Sequence, residues 1–460
     1  MDHRKSHFLL VTFTSQGHLN PILQLAKRLI RTTGTKVTLA TTVKGQRLMT
    51  NTDTNTLPLI PGLSFAFFSD GFDDGSNPSD DPNHIAAQMK RVGSQSFSNL
   101  INSFNEGPHP VTFVVYSILL PWVADVARAM HIPSALLWIS SATVFALYYH
   151  FFNGHDRLIE TSTFIDELPG LPPLTRPDLP SFFQPSSPHT FVLPIIHEHF
   201  QTLQQDSHPR VLLNTFDALE ESALRALSKL NVIEIGPLTP SEDKAYGCDL
   251  FSNKTGLDYI EWLNSKPVGS VVYVSFGSLV VLPNKQIEEI FHGLKASQKP
   301  FLWVVRSSES EIKELELEEE TEGMIVGWCS QVEVLNHRSV GCFVTHCGWN
   351  STVESLVTGV PVVGCPHFSD QPTNAKMIEA VFGTGVRARV SEEGEGIVER
   401  EELKRCLNMV MGGENGEEMR RNALKWKDLA MEAVGKGCSS ARNFRAFVEE
   451  LVQGCDTSIE

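Results

Sequence analysis

The segment 345–354 combines side chains that can bind an anion with side chains that can bind hydroxyl groups. It reads Thr-His-Cys-Gly-Trp-Asn-Ser-Thr-Val-Glu, and it follows an apolar run and opens a helical pattern. Backbone N–H groups at a helix start, with Asn350 and Ser351 beside them, suit a phosphate. Glu354, one turn further on, can accept hydrogen bonds from ribose hydroxyls. The segment therefore indicates a nucleotide-like ligand, and a capped helix with a purely structural role is the alternative.

A second candidate is His18, which lies in the loop Thr14–Leu19 after the apolar run Phe8–Phe13. Ligands of open parallel sheets bind beyond the carboxyl ends of the strands, and His18 occupies such a position. Capping of the following helix is the alternative role. Ser278 follows another apolar run, 271–276, and offers a second hydroxyl that can face the same phosphate.

Strand and helix patterns alternate around both candidates. In the first half, a helix is predicted with Asn20 as N-cap and Pro21 at its first position, ending at Gly34. In the second half, a helix is predicted over Asn284–Ser297, and Ser330 with Glu333 three residues later forms a capping-box pattern. The predicted strands are 8–13, 37–42, 271–276, 301–305, 324–327 and 340–345. This alternation predicts an α/β fold with two doubly wound parallel-sheet domains.

A polar break after Gly236 favours two domains over the competing architecture, a single (β/α)8 barrel. We predict a first domain over 1–236, a linker over 237–254, a second domain over 255–438 and a final amphipathic helix over 439–460. The proline-rich stretch Leu168–Pro188 is predicted to be an irregular loop of the first domain, and the acidic run Glu309–Glu322 a solvated surface loop.

Composition excludes several classes of protein. The chain has 460 residues and a net charge of −16, with 41% hydrophobic residues, so it is neither disordered nor suited to a polyanion such as nucleic acid. Neither a secretory signal nor a membrane span is expected, and we expect a cytoplasmic monomer.

All eight cysteines lie in the second half without a CxxC pair, and the spacing of Cys342, His346 and Cys347 fits no zinc pattern. No metal site is predicted, and no GxGxxG or P-loop motif supports an oxidoreductase or a P-loop NTPase.

The segment from Trp328 to Gln371 resembles, without a gap, the signature box of plant UDP-dependent glycosyltransferases. GHLNP at residues 17–21 and FGS at 276–278 also stand where that family has them. The resemblance is closest to the branch with anthocyanin 5-O-glucosyltransferases and the glucosyltransferases of crocetin and abscisate. It implies a GT-B fold, in which two Rossmann-like domains face each other and the last helix returns to the first domain.

The resemblance also implies a role for each matched residue. Trp328 stacks on the uracil and the backbone of Cys329 binds its edge, while Gln331 and Glu354 hold the ribose. Gln371 favours glucose as the sugar, so UDP-glucose is the expected donor and no further cofactor is needed. His18 matches the general base, and the absence of a carboxylate nucleophile implies a single displacement with inversion. The remaining contacts implied are those to the diphosphate, from Ser278, His346, Asn350 and Ser351, and those to the sugar, from Trp349, Asp370 and Gln371.

One position departs from the family. Most relatives have an aspartate behind the histidine, whereas this chain has Ser117, and Asp125 lies eight residues further on in the next helix. Without a carboxylate partner the imidazolium is less stabilised, which favours acceptors that are already ionised, such as carboxylic acids, or acidic phenols such as flavonoids. The acceptor pocket is expected from 13–16, 138–149 and the proline-rich stretch, although core packing is the alternative for each aromatic candidate. Those candidates are Trp122, Trp138, Phe145, Tyr148, Phe182 and Phe183.

Two other functions fit the same residues. One is transfer of a different sugar, such as glucuronate, xylose or rhamnose, by the same fold. The other is a sensor that binds a nucleotide sugar without transferring it. The presence of His18 and of a chemically competent residue at every box position favours the enzyme.

Overall fold

The computed structural model describes residues 6–50, 57–75, 81–184, 187, 189–240, 258–305, 322–391 and 396–456. Most of the predicted linker, from 241 onward, and nearly all of the acidic run, 309–321, lie outside the described residues. The chain divides into two compact units. The first unit comprises Met1–Pro173, Phe182–Phe251 and Ala433–Glu460, and the second comprises Leu174–Ser181 and Ser252–Glu432.

The first unit is built on a seven-stranded sheet of order β3-β2-β1-β4-β5-β8-β9. Every neighbouring pair in this sheet is parallel. The central strands β1, β4, β5 and β8 are short and fully buried, as expected when helices cover both faces of a parallel sheet. The strands of the sheet are β1 (His7–Val11), β2 (Lys36–Thr42), β3 (Leu63–Phe68), β4 (Phe113–Ser117), β5 (Ser134–Trp138), β8 (Val211–Leu213) and β9 (Val232–Glu234).

Helices separate these strands, and the chain also has the two-residue strands β6 (Phe164–Ile165) and β7 (Leu174–Thr175). The helices before residue 240 are Gln16–Thr33, Val43–Met49, Pro82–Asn105, Trp122–Ala129, Ala142–His150, Asp156–Thr161, Val192–Gln205 and Asp217–Ala226. A π-helical turn, Phe151–His155, joins two of them.

The last helix of the chain, Ser439–Asp456, belongs to the first unit. Its Phe444, Phe447 and Val448 are buried in the same core as the residues of β1 and β4. The ring centroid of Phe447 lies 5.6 Å from that of Phe113 in an edge-on contact. The apolar spacing seen in the sequence is therefore satisfied by burial against the first unit.

The second unit contains a six-stranded sheet of order β12-β11-β10-β13-β14-β15, again parallel throughout. Its strands are β10 (Val271–Ser275), β11 (Phe301–Val304), β12 (Gly323–Val326), β13 (Val340–Thr345), β14 (Val362–Gly364) and β15 (Gly385–Arg387). The α-helices described after residue 257 and before the last helix are Tyr259–Asn264, Asn284–Ser297, Gln331–Leu335, Trp349–Thr358, Gln371–Lys376, Arg400–Met411 and Gly413–Val434, and a π-helical segment covers Met377–Phe382. Two open parallel sheets confirm the predicted fold class and exclude the barrel.

The helix start predicted at Asn20 is wrong. The helix begins at Gln16, because the N–H groups of His18 and Leu19 already bond to the carbonyl of Ser15, at 3.0 and 2.9 Å. Pro21 lies inside the helix and not at its first position. His18 therefore lies on the first helical turn rather than in a loop, and its orientation is fixed by the helix.

The capping box predicted at Ser330 is also wrong, although a helix does begin at Gln331. The hydroxyl of Tyr259 takes the place of the reciprocal cap. It accepts from the Ser330 N–H at 3.3 Å and donates to the carboxylate of Glu333 at 3.0 Å. The hydrogen bonds expected between Ser330 and Glu333 are thus replaced by bonds to Tyr259, which lies about 70 residues earlier in the chain.

Two features of the predicted domain boundaries differ in the structure. Leu238, at the start of the predicted linker, is buried in the core of the first unit, where its N–H donates to Asn214 Oδ1 at 2.7 Å. Leu174–Ser181, part of the proline-rich stretch predicted to belong to the first domain, belongs to the second unit. No helix in the described parts of the chain is both long enough and apolar enough to cross a bilayer.

Candidate active site

In the first unit, His18 is a partly buried, neutral imidazole. Its Nδ1 atom is buried and has no hydrogen-bond partner among the described residues. Burial lowers the pKa of His18 from 6.5 to about 4, because the imidazolium would lose its hydration. The ring of Phe13 packs edge-on against it, with centroids 6.0 Å apart. The ring is therefore in the form that can accept a proton at neutral pH.

The described side chains give His18 no carboxylate partner. Ser117, which stands where the aspartate is expected, is fully buried at the end of β4 and accepts from Thr12 Oγ1 at 3.3 Å. Asp125 forms an ion pair with Arg128 on the surface of its own helix. The prediction that Asp125 does not replace the missing aspartate agrees with this geometry.

In the second unit, the helix Trp349–Thr358 begins directly beyond β13. Its N-cap is Gly348, so no side chain caps the first turn, where Asn350 and Ser351 lie. Neither acidic nor basic residues occupy that turn. The first N–H groups of a helix carry partial positive charge, so this end is suited to an anion.

The ring of His346 is packed between two glycines next to this helix start. A Cβ on Gly277 would lie 2.7 Å from its Nε2, and one on Gly348 would lie 2.6 Å from the same atom. Burial, with a smaller contribution from the nearby His367, lowers the pKa of His346 to about 3. This histidine is therefore a neutral hydrogen-bond donor and not a cation. Its contact with Gly277 also shows that the loop carrying Ser278 meets the loop after β13.

A hydrogen-bond network joins the residues expected to hold a ribose. Gln331 Nε2 donates to Glu354 Oε2 at 2.6 Å and to Ser351 Oγ at 2.9 Å. Gln331 Oε1 accepts from the hydroxyl of Tyr273 at 3.3 Å. Glu354 is only 8% exposed, so its carboxylate depends on such donors in place of water. The structure thus brings Gln331, Ser351 and Glu354 together.

The amide of Gln371 has a defined orientation. Its Oε1 accepts from the N–H groups of His367 at 2.8 Å and Phe368 at 3.0 Å. Two backbone donors require the oxygen at that end, so the amide points its NH2 group the other way. Asp370, the N-cap of the same helix, accepts from Asn374 Nδ2 at 3.0 Å.

The other box residues lie in the same loops and helix. Trp328 and Cys329 come directly after β12, where Cys329 Sγ lies 3.4 Å from the Tyr273 hydroxyl. Trp349, by contrast, is 3% exposed, so its indole packs within the unit.

Several of the aromatic acceptor-pocket candidates pack on each other or on the core. Trp122 is buried between Phe68 and Phe97, with centroids about 6 Å apart. Trp138 contacts Phe145 and Tyr148, and Tyr148 also contacts Phe183 at 5.2 Å. For Trp122, core packing is the role that these contacts favour.

Comparisons with known proteins identify the family. Residues 237–432 match the family model described as UDP-glucoronosyl and UDP-glucosyl transferase. A phloretin 4'-O-glucosyltransferase of Malus domestica is 51% identical, over 96% of this chain and 97% of its own. The chloroplastic crocetin glucosyltransferase of Gardenia jasminoides is 49% identical (98% of both chains), and anthocyanidin 3-O-glucoside 5-O-glucosyltransferase 1 of Perilla frutescens is 47% identical (97% of this chain, 98% of its own). The chain belongs to the UDP-dependent glycosyltransferases. The predicted branch is confirmed as well.

A solved structure supports the fold of this glycosyltransferase. The crystal structure of Os79 from O. sativa in complex with UDP superposes with a TM-score of 0.83 at 34% identity. The match covers 96% of this chain and all of that one. The GT-B fold predicted from the resemblance is confirmed.

Three residues of the glycosyltransferase's second unit have a hydrogen bond or a backbone conformation that was not predicted. Asn374 is fully buried and donates to both Asp370 Oδ2 and the carbonyl of Cys347, each at 3.0 Å. Cys347 and Ser369 both adopt left-handed backbone conformations, with φ of 62°. Such conformations are uncommon outside glycine and concentrate at functional sites. Asn374 was detectable, because it lies four residues after Asp370 on one helix face, whereas the two backbone conformations have no signal in the sequence.

Proposed function

We propose that this glycosyltransferase transfers glucose from UDP-glucose to a small hydrophobic plant metabolite, with inversion at the anomeric carbon. The observation that carries the proposal is the neutral His18, whose buried Nδ1 has no partner among the described residues. Such a ring can take the proton of an acceptor hydroxyl as its oxygen attacks the sugar. The bond to the new oxygen forms as the bond to the UDP oxygen breaks, so an α-linked donor gives a β-glucoside.

The donor is held by the residues of the second unit. The uncapped helix start at Trp349, with Asn350, Ser351 and the neutral His346, would bind the diphosphate and stabilise it as it leaves. We propose that no metal is needed for this step, because backbone and side-chain donors supply the stabilisation. The inward-held oxygen of Gln371 leaves an NH2 group to donate to the sugar, which supports glucose as the preferred donor.

The acceptor class follows from the missing aspartate. Relatives of this chain are named for phloretin, crocetin and an anthocyanidin glucoside, which supports flavonoids and apocarotenoids as acceptors here. A carboxylic acid arrives ionised and needs little from His18, whereas a phenol must lose its proton during the reaction. We therefore propose carboxylates and acidic phenols, and the cytoplasm and a monomeric state remain our proposals for location and assembly.

Product chemistry tests the proposal directly. The chain is incubated with UDP-glucose and a panel of flavonoids, hydroxycinnamic acids and apocarotenoid acids, and products are detected by mass spectrometry before and after mild alkali. Alkali-labile products identify glucose esters, and stable products identify O-glucosides. Binding of UDP-glucose without any product would contradict the proposal and favour a sensor.

The pH dependence of the reaction is expected to have its acid limb near pH 4. Only the neutral imidazole accepts a proton, and the pKa of His18 lies near 4 instead of 6.5, so lowering the pH from about 8 to about 5 leaves the base competent. The measurement is kcat/KM against pH with an acceptor that does not titrate in that range. An acid limb near pH 6.5 would show that His18 is solvated or is not the base.

Replacing Ser117 with aspartate is expected to raise the rate on phenols by about tenfold. The resemblance places residue 117 behind His18, where a carboxylate would stabilise the imidazolium. Ser117→Asn is the matched control, since it has nearly the same size without the charge. Rates on a carboxylic acid acceptor should change little in either variant. If Ser117→Asp leaves the rate on phenols unchanged, the missing carboxylate does not explain acceptor choice.

A further inference from the structure

The segment Leu174–Ser181 forms a small capped turn. Both the N–H and the hydroxyl of Thr175 donate to Asp178 Oδ2, at 2.8 and 2.6 Å, around the 3-10 turn Arg176–Asp178. Although about 70 residues separate it from the rest of the second unit along the chain, it is part of that unit. Its contacts there are specific and polar.

An ion pair holds the middle of the segment. Arg387, the last residue of β15, donates from Nη1 to Asp178 Oδ1 at 2.8 Å and from Nη2 to the carbonyl of Pro177 at 3.0 Å. The side chain of Asp178 is 8% exposed and that of Arg387 is 24% exposed. A pair this sheltered from water is screened little by salt, and losing one partner leaves the other unpaired.

The last residue of the segment, Ser181, binds Ser369, which precedes Asp370 and Gln371. Ser181 donates from its N–H to the carbonyl of Ser369 at 2.9 Å, and its Oγ accepts from the Ser369 N–H at 2.8 Å. Thr373, in the helix that follows, donates from Oγ1 to the carbonyl of Asp178 at 2.7 Å. Ser181 thus bonds both backbone polar groups of Ser369, whose left-handed conformation is unfavourable for a residue with a side chain.

We propose that the segment Leu174–Ser181 positions Asp370 and Gln371 and thereby sets the selectivity of the enzyme for the sugar of its donor. Ser181 is the central positioning residue, because it stabilises the backbone conformation from which the helix Gln371–Lys376 begins. This inference rests on the proposed function, in which those two residues contact the sugar. It assigns a part of donor selection to a stretch of the chain outside the signature box.

The test is donor binding to the full chain, measured by calorimetry with UDP, UDP-glucose and UDP-galactose and without an acceptor. Ser181→Ala removes the acceptor of the Ser369 N–H, and it is expected to reduce the preference for UDP-glucose over UDP-galactose by about tenfold. Affinity for UDP should stay within about twofold, because the uracil and diphosphate contacts are elsewhere. Ser181→Thr keeps the hydroxyl and should restore the preference.

Ser103→Ala is the control, since Ser103 is exposed and its hydroxyl donates to the carbonyl of Leu100 within the same helix of the first unit. An unchanged sugar preference in Ser181→Ala would overturn the inference and leave the proposed function intact. An equal loss of affinity for UDP and both sugars would overturn it too, because the segment would then be only structural. A wild-type chain without any preference between the two sugars would overturn the proposed donor and the inference together.

Discussion

Replacing His18 with alanine is expected to lower kcat for phenolic acceptors by about 10²–10⁴-fold, which is the usual contribution of a positioned general base. The variant removes a ring that is already neutral at physiological pH, so no favourable charge is lost along with it. Nδ1 makes no hydrogen bond with the described residues, so removing that atom leaves no partner among them unsatisfied. The loss should therefore appear in the rate and not in the fold.

Initial rates and UDP-glucose binding together measure this effect. Affinity for UDP-glucose should be unchanged within about twofold, since the proposed donor residues lie in the second unit. His84→Ala is a matched control, because His84 is exposed in the first unit and near no proposed site residue in the sequence. For a carboxylic acid acceptor the loss should be smaller, as no proton has to be removed. Undiminished transfer to phenols by His18→Ala would exclude His18 as the base.

Replacing Gly277 with alanine is expected to weaken UDP binding by about 10–100-fold. A Cβ at this position would lie 2.7 Å from Cε1 and Nε2 of His346, so the ring must leave the position that it holds beside the helix start. Losing one hydrogen bond to a charged diphosphate corresponds to about 1.5–3 kcal/mol, which gives that range of affinity.

Gly269→Ala is the matched control. Both glycines have left-handed backbones, with φ of 73° and 66°, so both variants carry similar backbone strain, but a Cβ on Gly269 meets no atom within 4 Å. The difference between the two variants, measured by calorimetry with UDP, isolates the effect on His346. Gly348→Ala provides a second test, because its Cβ would lie 2.6 Å from His346 Nε2 at an ordinary φ of −59°. Equal UDP affinity in all three variants would show that His346 does not bind the diphosphate.

Helix bounds that depend on neighbouring residues could be predicted from the sequence. The helix Asn284–Ser297 has the predicted bounds, and Gly34, the predicted end of the first helix, is a left-handed cap. The helix starts were harder. Pro21 matched a helix-start rule. The carbonyl of Ser15 already accepts the N–H groups of His18 and Leu19, however, so the helix begins earlier and the proline lies inside it. Ser330 and Glu333 matched a capping box, but Tyr259 binds both of them.

The placement of the candidate donor residues after strands of the second sheet was predictable, because each short segment follows an apolar strand pattern in the sequence. The contacts between the segment Leu174–Ser181 and the loop and helix around Gln371 could not be predicted from the sequence. The contacts of Asp178 with Arg387 and Thr373 join residues about 200 positions apart, and proline content reveals an irregular segment without revealing the surface that it binds. The orientation of the Gln371 amide likewise depends on two backbone N–H groups whose direction only the folded loop fixes.

Each unit is built from separate stretches of the chain, and this limits where the sequences of two relatives can be recombined. A chimera with a single crossover near residue 252 takes Ser181 from one parent and Ser369 from the other. The same crossover takes the last helix, with Phe447, from one parent and its packing partner Phe113 from the other. Such a hybrid inherits two mismatched interfaces even when each parent folds well. A chimera that takes each unit whole from one parent needs four crossovers, after residues 173, 181, 251 and 432.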